Sequence, residues 1–270
     1  MYLATTLIGG LPHYNVKEAV DLSSLLDILC IPELKLRGDD IFSPLKKPGE
    51  SSCLYEVKKR IIDKKIDITK IQGPGPVTAI KFGGYDSDIY FQNIYKHFEK
   101  VITALKDGNE KLKIMAFADE PSLFLVDFDF NYKVLHEDWL TLVKSLGADI
   151  TGVHSCGDLT DKIELRRFDA LFESEFDIIS VDASKYDITR YPLFRNDKMI
   201  AWGIDFGKDI FGDELKFRNI DEVLEYLIKY ARKGDLLTLP CGRDPKFYSA
   251  DYVVREIENL LMIQSYLCQL

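Results

Sequence analysis

Short apolar segments alternate with longer amphipathic segments along nearly the whole chain, and this alternation limits the folds open to it. Most of the short segments are apolar throughout, which is typical of strands covered on both faces. Predicted strands cover residues 5–11, 31–36, 68–80, 113–118, 149–154, 177–182, 199–204 and 236–239. Predicted helices cover residues 19–29, 87–105, 137–146, 159–172, 220–232 and 250–269. The pattern indicates βα units around a parallel sheet.

Eight strands with intervening helices predict a (β/α)8 barrel, also called a TIM barrel, as a single domain over residues 1–270. The length agrees, because such barrels typically run to roughly 250 residues. A doubly wound open sheet is the alternative fold. Residues 37–52 have no clear assignment, and the lysine-rich stretch at 58–65 is interpreted as the exposed face of a helix.

Composition excludes several classes of function. The formal net charge is −9, and neither nucleic acid nor an anionic membrane suits a chain without clustered Lys and Arg. No segment approaches the roughly 20 apolar residues that span a bilayer, and the first residues do not resemble a signal peptide. The five cysteines are an odd number, which argues against a disulfide framework. We therefore expect a cytoplasmic protein with reduced thiols.

Polar and reactive residues follow the predicted strands directly. Asp119 and Glu120 end the fourth strand, Asp182 ends the sixth, and His13 follows the first. In α/β barrels the functional groups lie at the C-terminal ends of the strands. This placement predicts one site at that end of the barrel. His97 and His136, within predicted helices or beside one, are expected at the surface.

The segment after the fifth strand indicates a metal site. His154 and Cys156 are two residues apart, so an extended strand end would point both to the same side. Cys241 follows the eighth strand and faces the same cavity in a closed barrel. One nitrogen and two sulfur ligands suit zinc, and three protein ligands are typical of a catalytic zinc site. Asp182 is placed to supply an oxygen ligand.

Six motifs resemble cobalamin-independent methionine synthase, within the superfamily that also holds uroporphyrinogen decarboxylase and coenzyme M methyltransferases. Their order and spacing match over almost the whole chain. They are TTLIGGLP at 5–12, GPVT at 75–78, DEPSL at 119–123, His154-x-Cys156, ISVDAS at 179–184 and Cys241-Gly242.

The resemblance implies a barrel, a bound zinc ion and methyl transfer to a small thiol such as homocysteine. Asp119 would hold the amino group of the substrate, and Glu120 beside it is assigned to substrate binding. Ile8 and Gly10 would line the pocket for the substrate carboxylate through backbone groups. His13 is the candidate acid or base near the rim.

The chain also departs from the family pattern. Gly10 replaces a serine, Asp182 replaces the glutamate ligand, and residues 203–213 contain no histidine to serve as the proton donor. The chain is short for the catalytic half of that enzyme, so the methyl donor is expected to be either a folate or a methylated corrinoid protein. Two alternatives stay open at this point, a porphyrinogen decarboxylase-like enzyme and a non-catalytic corrinoid- or metal-binding relative.

Overall fold

Eight parallel strands form a nearly closed barrel with helices around it, in a computed structural model that describes residues 1–13, 15–123, 132–156, 171–190, 194–207 and 215–270. The predicted TIM-barrel fold is confirmed. That residues 1–270 constitute a single domain stays a prediction. The strands are β1 Ala4–Thr6, β2 Leu29–Cys30, β3 Ile68–Pro74, β4 Lys113–Asp119, β5 Ile150–Ser155, β6 Ile178–Asp182, β7 Met199–Gly203 and β8 Leu236–Thr238.

The strands pair in chain order around the barrel, from β2 through β8 and on to β1. The junction between β1 and β2 is made by two hydrogen bonds rather than a full ladder. The Ile28 amide donates to the Thr5 carbonyl at 3.0 Å, and the Thr6 hydroxyl donates to the Ile28 carbonyl at 3.2 Å. These bonds bring the first and second strands together, so loops from all sides meet over one opening.

Helices follow most of the strands, and several begin at a side-chain cap. Asn15, Asp86, Asn219 and Ser249 each accept backbone N–H bonds from the first turn that follows them. None of the described helices is long and apolar enough to cross a membrane. The helices are α1 Val16–Ser23, α2 Ser43–Lys46, α3 Leu54–Lys64, α4 Ser87–Lys106, α5 Tyr132–Ser145, α6 Ile220–Tyr230 and α7 Ala250–Gln269.

The region around the second strand differs from its prediction. The helix predicted at 19–29 ends at Ser23, and residues 29–30 form β2 instead. The Ser23 hydroxyl donates to the Cys30 carbonyl and accepts from the Cys30 amide, which ties the helix end to the strand. The strand predicted at 31–36 is reduced to Glu33–Leu34, which pairs with Gly10–Leu11 outside the barrel sheet.

The stretch without a predicted structure and the lysine-rich stretch both contain helices. Residues 37–52 contain the short helix α2, and the lysine-rich stretch lies in α3, where Val57 and Ile61 are buried. The interpretation of that stretch as the exposed face of a helix is therefore confirmed. The helix predicted at 159–172 lies mostly outside the described residues.

Alternate residues of each strand point into the barrel, and their polarity changes along its axis. Met115, Phe117, Ile178 and Leu236 belong to one buried apolar cluster together with Ile8. Polar residues of the same inward-facing set come at or toward the C-terminal ends of the strands. They are Gln72, Asp119, His154, Ser180 and Asp182, whereas Lys70 lies deeper in the barrel, in register with Met115. Apart from Lys70, the barrel interior is thus apolar toward the N-terminal ends of the strands and polar toward their C-terminal ends.

An ion pair between Arg195 and Asp235 is buried on the outer side of the barrel wall. Asp235 also accepts the Trp202 indole N–H at 2.9 Å and the Ile200 amide at 3.0 Å. Trp202 is therefore a packing residue of the wall. The carboxylate joins β7, the turn before β8 and the segment that carries Arg195.

Replacing Arg195 by methionine should lower the free energy of unfolding by about 3–5 kcal/mol, because Asp235 would remain buried without its cation. Urea denaturation followed by circular dichroism measures this change. Arg218→Met is the matched control, since Arg218 forms an exposed pair with Glu222 and should give no measurable change. Equal effects of the two substitutions would contradict the structural role of the buried pair.

Candidate functional site

His154, Cys156 and Cys241 come together at the C-terminal end of the barrel. The imidazole nitrogen and the two sulfur atoms that could bind a metal all lie within 4.8 Å of one another. The two sulfur atoms are 3.4 Å apart, although their residues are 85 positions apart in the sequence. Parallel strands with a common direction produce this convergence, because β5 and β8 both end at the same opening.

The orientation of His154 is set from the neighbouring strand. Its Nδ1 lies 3.1 Å from the Ser180 hydroxyl on β6, which faces it directly in the strand register. Its Nε2 is buried and has no hydrogen-bond partner. A buried nitrogen without a partner is costly, whereas a metal ligand whose second nitrogen is held by a hydrogen bond is a common arrangement. The geometry therefore fits a metal ion bound at Nε2.

The pKa values of the two thiols shift in opposite directions, although their sulfur atoms are in contact. Contact with Cys156, and then with His154, holds the pKa of the Cys241 thiol well below its usual range. The same sulfur contact, together with burial, raises the pKa of Cys156. Cys241 is therefore the first of the pair to become a thiolate, which is the form that binds metals.

The loops after β1 and β8 touch through glycine. A Cβ atom on Gly9 would lie 2.6 Å from the Gly242 Cα, and one on Gly242 would lie 2.5 Å from the Gly10 nitrogen. Gly9 also has φ +72°, a conformation that side chains disfavour. The Arg243 amide donates to the Gly10 carbonyl at 2.8 Å. The first-strand motif and the Cys241-Gly242 motif are thus parts of one structure.

Asp119 lies beside the cluster, in register with His154 on the adjacent strand. Burial raises its pKa to about 6, and the nearby Cys241 and Glu120 add to the rise. Glu33 is a second carboxyl near Asp119 that sequence reasoning missed. Burial, followed by the charge of Asp119, raises the pKa of Glu33 to about 7. Two neighbouring carboxyls with raised pKa values are suited to binding a cation.

Glu120 binds the loop after β3, and its role in substrate binding stays a prediction. Its carboxylate is fully buried and accepts the Val77 amide at 3.0 Å and the Thr78 amide at 2.7 Å. His136 Nε2 lies 3.0 Å from the same carboxylate. A Cβ on Gly75 would fall 2.1 Å from the carboxyl carbon, so glycine is required there. Glu120 therefore fixes the GPVT loop, and His136 supports it.

Both helix histidines expected at the surface are buried. His136 is 2% exposed and His97 is 6% exposed. His97 Nδ1 accepts the Gly49 amide at 3.0 Å, which ties the loop before α3 to α4. The sequence could have indicated this, because both histidines share a helix face with apolar residues that pack inward.

Asp182 is not among the residues whose ligand atoms converge in the described part of the chain. Its Oδ1 accepts the Ser184 amide at 3.0 Å and the Lys185 amide at 3.2 Å. Burial raises its pKa to about 6. The carboxylate thus stabilises the turn after β6, and direct metal binding by Asp182 stays a prediction.

The remaining predicted residues lie in or near the first-strand loop. Ile8 is buried in the apolar barrel interior, and Gly10 begins the short pair with Glu33–Leu34. His13 is buried, and its Nδ1 has no hydrogen-bond partner. Burial lowers the pKa of His13, so its neutral form is favoured. A neutral imidazole can accept a proton, as an acid–base role requires.

No protein-family model matches the chain, and no curated protein sequence matches it. Solved structures do resemble it in fold. D-psicose 3-epimerase from Clostridium cellulolyticum superposes with a TM-score of 0.54 at 12% identity, covering 97% of this chain and 98% of that one. A GH18 chitinase from Pseudoalteromonas aurantia gives 0.50 at 9% identity, covering 95% and 100%.

A Listeria monocytogenes protein, assigned by name to the vitamin-B12-independent methionine synthases, gives a TM-score of 0.48 at 15% identity. That superposition covers 82% of this chain and 70% of the other. Likeness at these identities establishes the barrel fold alone, since one fold serves many activities. The function must therefore be argued from the site.

Asp119 and Glu120 are adjacent carboxylates that should respond oppositely to neutralisation. Glu120→Gln removes a compensated charge and should lower the free energy of unfolding at pH 7 by about 1–3 kcal/mol. Asp119→Asn should leave stability unchanged or raise it by up to about 1 kcal/mol, because its charge is desolvated and partly screened. Urea denaturation of the metal-free protein measures both.

The effect of Asp119 on the free energy of unfolding should change with pH in a defined direction. The pKa of Asp119 is raised from 3.8 to about 6 in the folded protein, so the wild type loses stability as pH rises through that window. The advantage of Asp119→Asn should accordingly disappear as pH falls from 6 to 4. A destabilising effect of Asp119→Asn equal to that of Glu120→Gln would contradict the different roles assigned to the two residues.

Proposed function

We propose that the protein is a zinc-dependent methyltransferase that transfers a methyl group to the sulfur of a small thiol amino acid such as homocysteine. The main support is the convergence of His154, Cys156 and Cys241. The buried Nε2 of His154 has no hydrogen-bond partner and is available to bind a metal. The methionine synthase-like motifs in the sequence support the same assignment. The proposal goes beyond the barrel fold, which alone specifies no reaction.

Zinc is the metal that this donor set favours, because one imidazole and two thiolates combine nitrogen with soft sulfur ligands. When bound by His154, Cys156 and Cys241, the ion would lower the pKa of an acceptor thiol, so that a thiolate is available near neutral pH. Ser180 would keep the imidazole in the tautomer that leaves Nε2 free.

The amino group of the acceptor would lie between Asp119 and Glu33. Burial raises the pKa of both carboxyls, and the charge of Asp119 adds to the rise at Glu33. An ammonium group would relieve this repulsion through charge-assisted hydrogen bonds. The backbone around Ile8 and Gly10 is the proposed contact for the substrate carboxylate. These contacts would orient the acceptor sulfur toward the methyl donor.

In the proposed reaction the acceptor thiol loses its proton, a new sulfur–carbon bond forms, and the bond between the methyl group and its donor breaks. Placement of the two reactants in line is the main contribution that the protein can make beyond activating the thiol. His13 is the proposed proton acceptor, since its neutral form is favoured. The donor is proposed to be a methylated corrinoid protein or a methylated folate.

The structure gives the decarboxylase alternative little support. A substrate with several carboxylates calls for free arginines around the opening. Arg243, next to the cluster, is instead held by Glu256 through Nε at 2.9 Å, with Asp205 at 3.4 Å. This arginine serves the loop after β8 as an internal ion pair.

Purification under anaerobic conditions with zinc supplied should yield about one zinc ion per chain, as expected for a site with three protein ligands. Cys241→Ser should lose most of that zinc, because one of two sulfur ligands is removed. Elemental analysis measures the content. Cys268→Ser is the matched control, since Cys268 is exposed on α7 and should retain the metal.

Addition of homocysteine to the zinc protein should release protons, which a pH indicator in weak buffer detects. Methyl transfer is then assayed with methylated corrinoid and methylated folate in separate reactions. A protein that holds no zinc under these conditions would overturn the proposal. A protein that holds zinc and binds the thiol, yet transfers no methyl group from either donor, would favour the non-catalytic relative.

Glu33→Gln should weaken binding of homocysteine by about tenfold, as expected for loss of one charge-assisted hydrogen bond. The same substitution should leave binding of 1-propanethiol within about twofold, because that thiol has no amino group to contact Glu33. Titration calorimetry of the zinc protein compares the two thiols. Equal losses for both would contradict recognition of the amino group by Glu33.

A further inference from the structure

Lys70 is a fully buried cation inside the barrel, and nothing in the proposed reaction uses it. We propose that Lys70 is a positioning residue that acts through Gln72 on both the first-strand loop and Glu33. The part of this inference that concerns substrate recognition rests on the proposed function. The part that concerns the loop stands on the contacts of the protein alone.

The contacts of Lys70 occupy its charge without a carboxylate. Its Nζ donates to the Leu7 carbonyl at 2.9 Å and to the Gln72 Oε1 at 2.6 Å. The ammonium also lies 4.6 Å from the centre of the Phe117 ring. A methionine would fill this volume without the cost of burying a charge. The ammonium therefore serves a purpose other than packing.

Lys70 fixes which way the Gln72 amide faces. An ammonium group can only donate hydrogen bonds, so the amide oxygen must point to Lys70 and the NH2 group must point away. The same oxygen accepts the Gly9 amide at 3.1 Å. The NH2 group then faces Glu33 Oε1 at 3.5 Å. Reversal of the amide would place donors against both Lys70 and Gly9, which the cation prevents.

Gly9 and Glu33 are the two ends of this relay, and both belong to the candidate site. Gly9 packs on Gly242, next to Cys241. Glu33 forms the carboxyl pair with Asp119, and the charge of Lys70 lowers the pKa of both of these carboxyls against the effect of burial. The ammonium group of Lys70 thus supports both the first-strand loop at Gly9 and the carboxyl of Glu33.

The first test measures exchange of the Gly9 amide with solvent by NMR, in metal-free and ligand-free protein. Lys70→Met should speed this exchange by at least about tenfold, because Gln72 loses the partner that orients it. Ile178→Ala is the matched control, since Ile178 lies in the same barrel interior but three strands away from the strand that carries Lys70. Equal acceleration in the control would overturn the proposal, because it would reflect general loosening.

Two further variants separate the relay from packing. In a Gln72→Met background the Lys70→Met change should accelerate exchange at Gly9 by much less than in the wild type, because only the bond from Lys70 to the Leu7 carbonyl is left to lose. Additive effects would overturn the proposal. Lys70→Gln replaces Lys70→Met if the latter does not fold, and it should give the same acceleration, because its neutral amide no longer dictates how Gln72 faces.

The second test compares binding of homocysteine and 1-propanethiol to the zinc-loaded proteins by calorimetry. Lys70→Met should weaken homocysteine binding by about tenfold and leave 1-propanethiol within about twofold, because only the former needs Glu33 and the loop. Equal losses for both thiols would overturn the recognition role. Failure of the wild type to bind either thiol would instead reject the proposed function, and the exchange experiment would still decide the role of Lys70.

Discussion

The two-residue alternation of the barrel strands is the constraint on which the site depends. On each strand every second side chain faces inward, so one strand contributes both a packing residue and a functional residue to the interior. On β4 this set runs from Met115 and Phe117 to Asp119, and on β6 it runs from Ile178 through Ser180 to Asp182. Because the strands are parallel, all of the functional ends meet at one opening.

Adjacent residues acquire opposite roles from the same alternation. Asp119 faces inward, toward His154. The carboxylate of Glu120 instead contacts the GPVT loop, where it accepts two backbone N–H bonds and lies beside His136. The motif that contains them therefore combines a chemical group with the anchor that keeps its surroundings rigid. A site whose supporting residues are fixed by packing holds its geometry when a ligand arrives.

The sequence predicts those features that depend on local pattern. The barrel follows from the apolar segments, and the cluster follows from the positions of His154, Cys156 and Cys241 at or just beyond the ends of two strands. Glu33 was missed because its neighbour Asp119 is distant in sequence and only the barrel brings them together. The contacts of Glu120 with Val77, Thr78 and His136 could not be predicted, because the sequence does not show which way a carboxylate turns after a strand ends. The second strand lies at residues 29–30 rather than at its predicted position, because Ser23 ties the helix end to Cys30. No sequence periodicity indicates that contact.

Electrostatics explains why Lys70, which has no carboxylate among its hydrogen-bond partners, is tolerated in the barrel interior. Burial raises the pKa of Glu33 to about 7 and that of Asp119 to about 6, and the positive charge of Lys70 opposes both rises. In the proposed function, the ammonium group of the acceptor would add a second positive charge that favours the ionised form of both carboxyls, whereas a neutral ligand would add none. This charge balance supports the part of the proposed function in which an ammonium group of the acceptor lies beside Asp119 and Glu33.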